Sequence, residues 1–112
     1  MVDAAGPTIS THVLDTQSGL PAEGIRVTLL RLDVAAAPIR MTQALTDGDG
    51  RVRDLLERPL VAGDYRLEFD VGGEDGSFFR KLAVDVRISD ISRSYHVPLL
   101  LAPFSMTTYR GS

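Results

Sequence analysis

Residues 81–88 read Lys81-Leu82-Ala83-Val84-Asp85-Val86-Arg87-Ile88, with an apolar side chain at every second position. Leucine, valine and isoleucine share one face of this segment, while lysine, aspartate and arginine lie on the other. A period of two is that of a β-strand, in which successive side chains point to opposite faces of the sheet. The segment therefore predicts a half-buried strand whose apolar face packs on a core.

Similar segments lie on both sides of this strand, separated by short turns rich in glycine and aspartate. Alternation or a high content of β-forming residues predicts further strands at 8–14, 25–32, 65–71, 94–101 and 106–110. Many short strands with frequent turns are typical of an all-β sandwich or barrel. Sustained helical periodicity is absent, and one short helix is allowed only within 55–60 or near 76–79.

The turn Asp47-Gly48-Asp49-Gly50 lies between two short strand-like runs at 43–46 and 51–55. We expect these runs to pair as a hairpin across the turn. The turn faintly resembles a calcium-binding loop, but its glycine comes too early and the bidentate glutamate is missing. Tight-turn chemistry explains the sequence better.

The chain has 112 residues, of which 44% are hydrophobic and 24% charged, and these values are typical of one globular domain. A domain of this size can bury roughly 65% of the surface that its unfolded chain exposes. We predict a disordered segment over residues 1–6 and a single domain over residues 7–112. No repeat or linker divides the sequence.

Charge and composition exclude several classes of function. A formal net charge of −3 provides no basic surface for a phosphate backbone, so we expect no nucleic-acid partner. The chain has no cysteine and two histidines, which argues against thiolate chemistry and against a metal site. No apolar run approaches the ~20 residues of a membrane helix, and no signal peptide is visible. A cytoplasmic location without membrane contact is the expectation.

The two histidines both lie on the less apolar face of a predicted strand. His12 shares its face with Ser10 and Leu14, and His96 shares its face with Ser94, Pro98 and Leu100. For one isolated strand histidine, a structural role with a satisfied hydrogen bond is favoured over catalysis. The pair gains weight only if the two strands are neighbours, and alternation does not decide that.

The chain ends on Tyr109-Arg110-Gly111-Ser112, which places a phenol, a guanidinium and a hydroxyl within four residues. Terminal segments are usually frayed and polar, whereas β-forming residues here continue almost to the end. On physical grounds alone, an edge strand with a polar end is slightly favoured over a binding segment.

Three stretches closely resemble the signatures of 5-hydroxyisourate hydrolases, and the resemblance extends from about Pro7 to Ser112. The stretches are Ser10-Thr11-His12-Val13-Leu14-Asp15-Thr16 with Gly19-Leu20-Pro21-Ala22, then Asp47-Gly48-Asp49-Gly50-Arg51, then Tyr95-His96-Val97-Pro98-Leu99-Leu100-Leu101 with the final Tyr109-Arg110-Gly111-Ser112. The terminal tetrapeptide is highly specific in combination with both histidines. The sequence departs from the family pattern at Ser105-Met106-Thr107, at Arg80 and in a shortened segment over 69–78.

The resemblance implies a transthyretin-like sandwich of two four-stranded sheets, in which the strands of His12 and His96 are neighbours beside the strand of the tail. It also implies a homotetramer with active sites at the dimer–dimer interface. The implied reaction is hydrolysis of 5-hydroxyisourate to 2-oxo-4-hydroxy-4-carboxy-5-ureidoimidazoline in urate (purine) degradation, with no cofactor and no metal.

The resemblance assigns catalytic roles to His12, Arg51, His96 and Ser112. Substrate binding would fall to the first three of these and to the tail residues Tyr109, Arg110, Gly111 and Ser112. We hypothesise that the histidines provide acid–base catalysis, because an imidazole exchanges protons near neutral pH. Arg51 would hold the ring and support the oxyanion. Which histidine is the base stays open.

Two other functions compete with the hydrolase. A transthyretin-like carrier of a small ligand would share the fold, but transthyretin lacks the histidines, the arginine and the terminal tetrapeptide found here. A structural β-sandwich module is the third possibility, since Gly19-Leu20-Pro21 and Gly63-Asp64-Tyr65 also resemble regulatory sandwich domains. The hydrolase is favoured, followed by the carrier.

Overall fold

The computed structural model describes residues 6–73 and 76–111, and this part of the chain forms an all-β sandwich without a helix. Its strands are β1 (Ile9–Asp15), β2 (Leu20–Pro21), β3 (Arg26–Asp33), β4 (Ala36–Leu45), β5 (Arg51–Val52), β6 (Gly63–Asp70), β7 (Lys81–Ile88), β8 (Tyr95–Ala102) and β9 (Ser105–Thr108). The predicted fold class is therefore confirmed. Gly6 is exposed, but the rest of the N-terminal segment predicted to be disordered lies outside the described residues.

The strands form two sheets. One sheet has the order β4-β3-β6-β7, and its strand pairs are all antiparallel. The other has the order β2-β1-β8-β9, with β5 also pairing with β1. It exceeds the expected four strands because the two-residue strands β2 and β5 share the same edge of β1. Within this sheet β1 and β8 run parallel over seven paired residues, from Ile9 opposite Tyr95 to Asp15 opposite Leu101.

The core lies between the two sheets and follows the alternation of their strands. The side chains of Tyr65, Leu67 and Phe69 on β6 are fully buried, and Ile9 and Val13 on β1 meet them from the other sheet. Each such side chain contributes roughly 1.5–3 kcal/mol on burial. Because the odd-numbered residues of β1 are committed to this core, the even-numbered residues face the opposite side of the sheet.

The expected hairpin around the glycine turn is wrong, because β4 and β5 lie in different sheets. The turn carries the chain from one sheet to the other. The Asp47 carboxylate closes it by accepting the backbone N–H groups of Asp49 and Arg51 at 2.9 and 3.0 Å. The Arg51 N–H in particular holds the pKa of the Asp47 carboxyl below its usual value, against the opposing effect of burial. A short polar turn can close a hairpin within one sheet or carry the chain to the other sheet. The sequence of the turn therefore does not reveal the partner of either strand.

Neither place where a short helix was allowed forms one. In the first, Glu57 adopts a left-handed conformation with φ 56°, and the Asp54 carboxylate accepts the N–H groups of Leu56 and Glu57. A left-handed residue interrupts a right-handed helix, and this segment instead buries Leu55 and Leu56 in the core. The described part of residues 71–80 is irregular. No helix in the described residues could cross a membrane.

Gly50 is the tightest point of the turn, so we expect Gly50→Ala to destabilise the protein by about 1–3 kcal/mol. The residue has φ 75°, and an added Cβ would lie 2.5 Å from the Val13 carbonyl oxygen. Denaturant unfolding measures the loss. Gly48→Ala is the matched control, because a Cβ there would meet nothing within 4 Å. Equal stabilities of the two variants would contradict this account of the turn.

Candidate functional site

The candidate site lies on the face of the β1–β8 pair that points away from the core. His12 and His96 are both half-buried on this face, on neighbouring strands as the resemblance implies. In the register, Ser10 is opposite His96 and His12 is opposite Pro98. The two imidazoles therefore lie two residues apart along the strand direction, on adjacent strands.

Arg51 joins this face through β5. The two residues of β5 pair with β1, which places Arg51 opposite His12 and Val52 opposite Thr11. Val52 and Thr11 are buried, so the side chains of Arg51 and His12 share the outer face. The turn at Gly50 thus brings a guanidinium next to the histidines.

A serine of β1 orients the His96 ring. Ser10 Oγ and His96 Nδ1 are 2.8 Å apart and share a hydrogen bond whose direction depends on the tautomer of the imidazole. With Nδ1 engaged in this way, Nε2 remains to exchange a proton with a ligand.

The surroundings of His96 hold its pKa below the ordinary value of 6.5. Burial is the largest cause, followed by the electrostatic effects of Arg51 and His12, while a hydrogen bond with the Ser10 backbone opposes them. His96 is therefore neutral at neutral pH and able to accept a proton.

An open cleft of about 590 Å³ passes over this face and is lined by Ser10, Arg51, Arg93, Ser94 and His96. A smaller one of about 190 Å³ adjoins it, with Ser10, Arg51 and His96 in common. His12 lines neither, although its charge acts on His96. Among the described residues, no three histidine, aspartate or glutamate side chains cluster in a way that could hold a metal ion.

The tail reaches the site through Gly111. The Gly111 N–H donates to the His96 carbonyl at 2.8 Å, and a Cβ on Gly111 would lie 2.7 Å from His96 Cδ2. Only glycine lets the tail pass this close to the ring. Ser112, to which the resemblance assigns a catalytic role, lies outside the described residues.

Tyr109 and Arg110 line a different cavity, of about 580 Å³, which opens between the sheets beside β7. His96 and Arg93 also line that cavity, so the two spaces meet at these two residues. Of the residues suggested by the resemblance, the structure thus gathers His12, Arg51, His96 and Gly111 on one face. The side chains of Tyr109 and Arg110 lie instead in the neighbouring cavity beside β7.

Two residues of the site, Ser10 and Arg93, were not expected from the sequence. Ser10 shares the face of His12, a signal that alternation provides, but its bond to His96 requires the parallel register of β1 and β8. Arg93 lies in the turn before β8, where no period applies. Only the folded chain brings it to the cleft.

A two-sheet sandwich in which β1 and β8 pair in parallel defines the class as transthyretin-like. The sequence model of the HIUase/Transthyretin family, in which HIUase denotes 5-hydroxyisourate hydrolase, matches residues 9–111. The chain belongs to this family.

Individual relatives agree with this membership. The 5-hydroxyisourate hydrolase of Caulobacter vibrioides is 36% identical over 113 residues, covering 93% of this chain and 97% of the relative. The structure of Klebsiella pneumoniae 5-hydroxyisourate hydrolase superposes with a TM-score of 0.82 at 34% identity, over 95% of this chain and 99% of the other. Sea bream transthyretin in complex with thyroxine gives a TM-score of 0.83 at 27% identity, over 92% and 93% of the two chains.

Proposed function

We propose that this protein is a 5-hydroxyisourate hydrolase that opens the ring of its substrate in urate (purine) degradation. The observation that carries the proposal is the His96 imidazole, which shares a hydrogen bond with Ser10, lies beside Arg51 on an open face and has a pKa held below its ordinary value. The relatives named 5-hydroxyisourate hydrolase match this chain over almost all of its length, which supports the same activity here.

In the proposed reaction, a neutral imidazole takes a proton from water as the oxygen attacks an acyl carbon of the ring. The same proton then passes to the ring nitrogen as the C–N bond breaks. General acid–base catalysis of this kind contributes 10²- to 10⁴-fold, which is roughly 3–5 kcal/mol of barrier. The low pKa of His96 favours this residue as the base, with His12 assisting in the proton transfers.

Arg51 provides the positive charge that stabilises the oxyanion formed during the reaction. As water adds, the acyl oxygen gains negative charge, and a guanidinium fork is suited to hold that oxygen together with a neighbouring ring carbonyl. The chemistry needs no cofactor. We further propose that Tyr109, Arg110, Gly111 and Ser112 complete the binding site, with Ser112 taking part in catalysis.

We also propose a cytoplasmic homotetramer with active sites at the dimer–dimer interface. The outer face of the β1–β8 pair supports this assembly, because it carries the partly exposed Leu14 and Leu100 near the histidines. A second subunit on this face would exclude water from an otherwise open cleft, which strengthens the electrostatic interactions inside.

The second candidate function is that of a ligand carrier. The observation in its favour is the equally close superposition on sea bream transthyretin in complex with thyroxine. The site favours the hydrolase, since a proton-accepting imidazole beside a guanidinium is chemistry that a carrier does not need.

The test is the decay of freshly generated 5-hydroxyisourate, followed spectroscopically with and without protein. A hydrolase accelerates the decay in proportion to protein concentration. A carrier leaves the rate at its spontaneous value but binds thyroxine, which a parallel titration detects. Spontaneous decay at all protein concentrations would overturn the proposal.

A further inference from the structure

We propose that Arg93 is a product-binding residue that, together with Arg51, holds the carboxylate released when the ring opens. This inference rests on the proposed function. It assigns a role to a residue that neither the sequence motifs nor the histidine strands indicate.

Arg93 reaches the cleft from the turn that precedes β8. It lines the 590 Å³ cleft with Arg51 and His96, so two guanidiniums border the same space. Its guanidinium carbon lies 5.7 Å from the centroid of the Tyr95 ring, a cation–π distance. Tyr95 packs against the core, on the opposite side of β8 from His96, and the Arg110 guanidinium carbon is also 5.7 Å from its ring. Arg93 therefore borders both the cleft and the 580 Å³ cavity.

The turn itself is well anchored. The Tyr95 hydroxyl donates to the Asp90 carbonyl at 2.8 Å and accepts the Asp90 N–H at 3.1 Å. The Asp90 carboxylate accepts both the N–H and the hydroxyl of Ser92. These bonds fix the backbone on either side of Arg93, so little backbone entropy is lost when the residue binds a ligand.

The charge of Arg93 is available to a ligand. Within residues 6–73 and 76–111, no carboxylate oxygen lies within 4.0 Å of its guanidinium, whereas Arg66 and Arg87 are both ion-paired. Asp90 is the acidic group whose pKa Arg93 lowers, but the hydrogen bonds from Ser92 are the larger cause. The guanidinium fork is therefore free to bind an anion from the cleft.

The proposed reaction creates such an anion. Hydrolysis of a cyclic amide adds the water oxygen to the acyl carbon, breaks the C–N bond and transfers one proton to the departing nitrogen. The new carboxylic acid then loses its proton at neutral pH, so a neutral acyl group becomes a carboxylate. Paired guanidiniums recognise a carboxylate more strongly than a neutral carbonyl, since charge-assisted hydrogen bonds are about twice as strong as neutral ones.

The test uses hydantoate, a stable ureido carboxylate, and hydantoin, its neutral cyclic counterpart, in calorimetric titrations of the full-length protein. We expect Arg93→Gln to weaken hydantoate binding about tenfold or more and to leave hydantoin binding almost unchanged. Arg93→Lys should restore part of the hydantoate affinity, because it keeps the charge and loses the fork. Arg66→Gln is the matched control, since it removes the same charge from an arginine paired with Asp85 at 2.6 Å, away from the cleft and the cavity.

Hydantoate affinity that falls equally in Arg93→Gln and Arg66→Gln overturns the inference, as does wild-type protein that binds no hydantoate at millimolar concentration. An equal loss of hydantoin affinity in Arg93→Gln also overturns it, because Arg93 would then bind the uncharged ring. The decay assay is a separate readout. Arg93-dependent hydantoate binding without catalysed decay would refute the proposed function and leave the anion site standing.

Discussion

His96→Ala is expected to lower kcat by 10²- to 10⁴-fold while the protein stays folded. The substitution removes the neutral imidazole that accepts a proton from water. It leaves the core intact, because the ring lies on the outer face of the sheet and bonds only to Ser10 among the described side chains. The decay assay measures the rate, and thermal unfolding should shift by no more than a few degrees.

The pH dependence of the reaction rate is a second test of His96 as the general base. Because the pKa of His96 lies below 6.5, the imidazole is neutral at pH 7 and gains a proton only as the pH falls through that lower pKa. Activity should therefore be constant around neutrality and fall on the acid side, below pH 6.5. His12→Ala retains His96 and should keep an acid limb at a lower overall rate. An active His96→Ala variant with the wild-type profile would exclude His96 as the base.

Arg51→Gln is expected to reduce kcat/KM by roughly 10²- to 10³-fold, the usual loss when one oxyanion-stabilising group is removed. The substitution should also move the acid limb of the pH profile to higher pH. The reason is that the charge of Arg51 is one cause of the low pKa of His96, so its removal lets that pKa rise. Steady-state kinetics between pH 5 and 8 measure both effects.

Arg40→Gln is the control for charge, because this exposed arginine lies on β4 in the other sheet. It should leave both the rate and the profile unchanged. Arg51→Lys should recover the position of the acid limb more fully than the rate, since it keeps the charge and loses the planar fork. A loss of rate in Arg51→Gln with no movement of the limb would show that Arg51 does not act on His96.

Strand alternation allowed much of the fold to be predicted. The strand predicted over 81–88 is observed as β7, and the alternating faces of 65–71 become the buried Tyr65, Leu67 and Phe69 of β6. Alternation reports which face of a strand is apolar, and it contains no information on the partner strand. This is why β4 and β5, on either side of one short turn, were expected to pair and instead lie in different sheets.

The site could be predicted only in part for the same reason. Alternation placed both histidines away from the core, and the family resemblance supplied the adjacency of their strands. The bond between Ser10 and His96 depends on a parallel register over residues 86 apart in sequence, which no local pattern encodes. Arg93 was missed because a turn residue has no periodic face. The roles of Tyr109, Arg110 and Ser112 stay predictions.

The central claim is that the face shared by His12 and His96 catalyses hydrolysis. The most direct measurement compares the catalysed decay of 5-hydroxyisourate by wild-type protein and by a His12→Ala/His96→Ala double variant of equal thermal stability. We predict rapid, protein-dependent decay with the wild type and a rate close to the spontaneous one with the double variant. Equal acceleration by both proteins would contradict the claim.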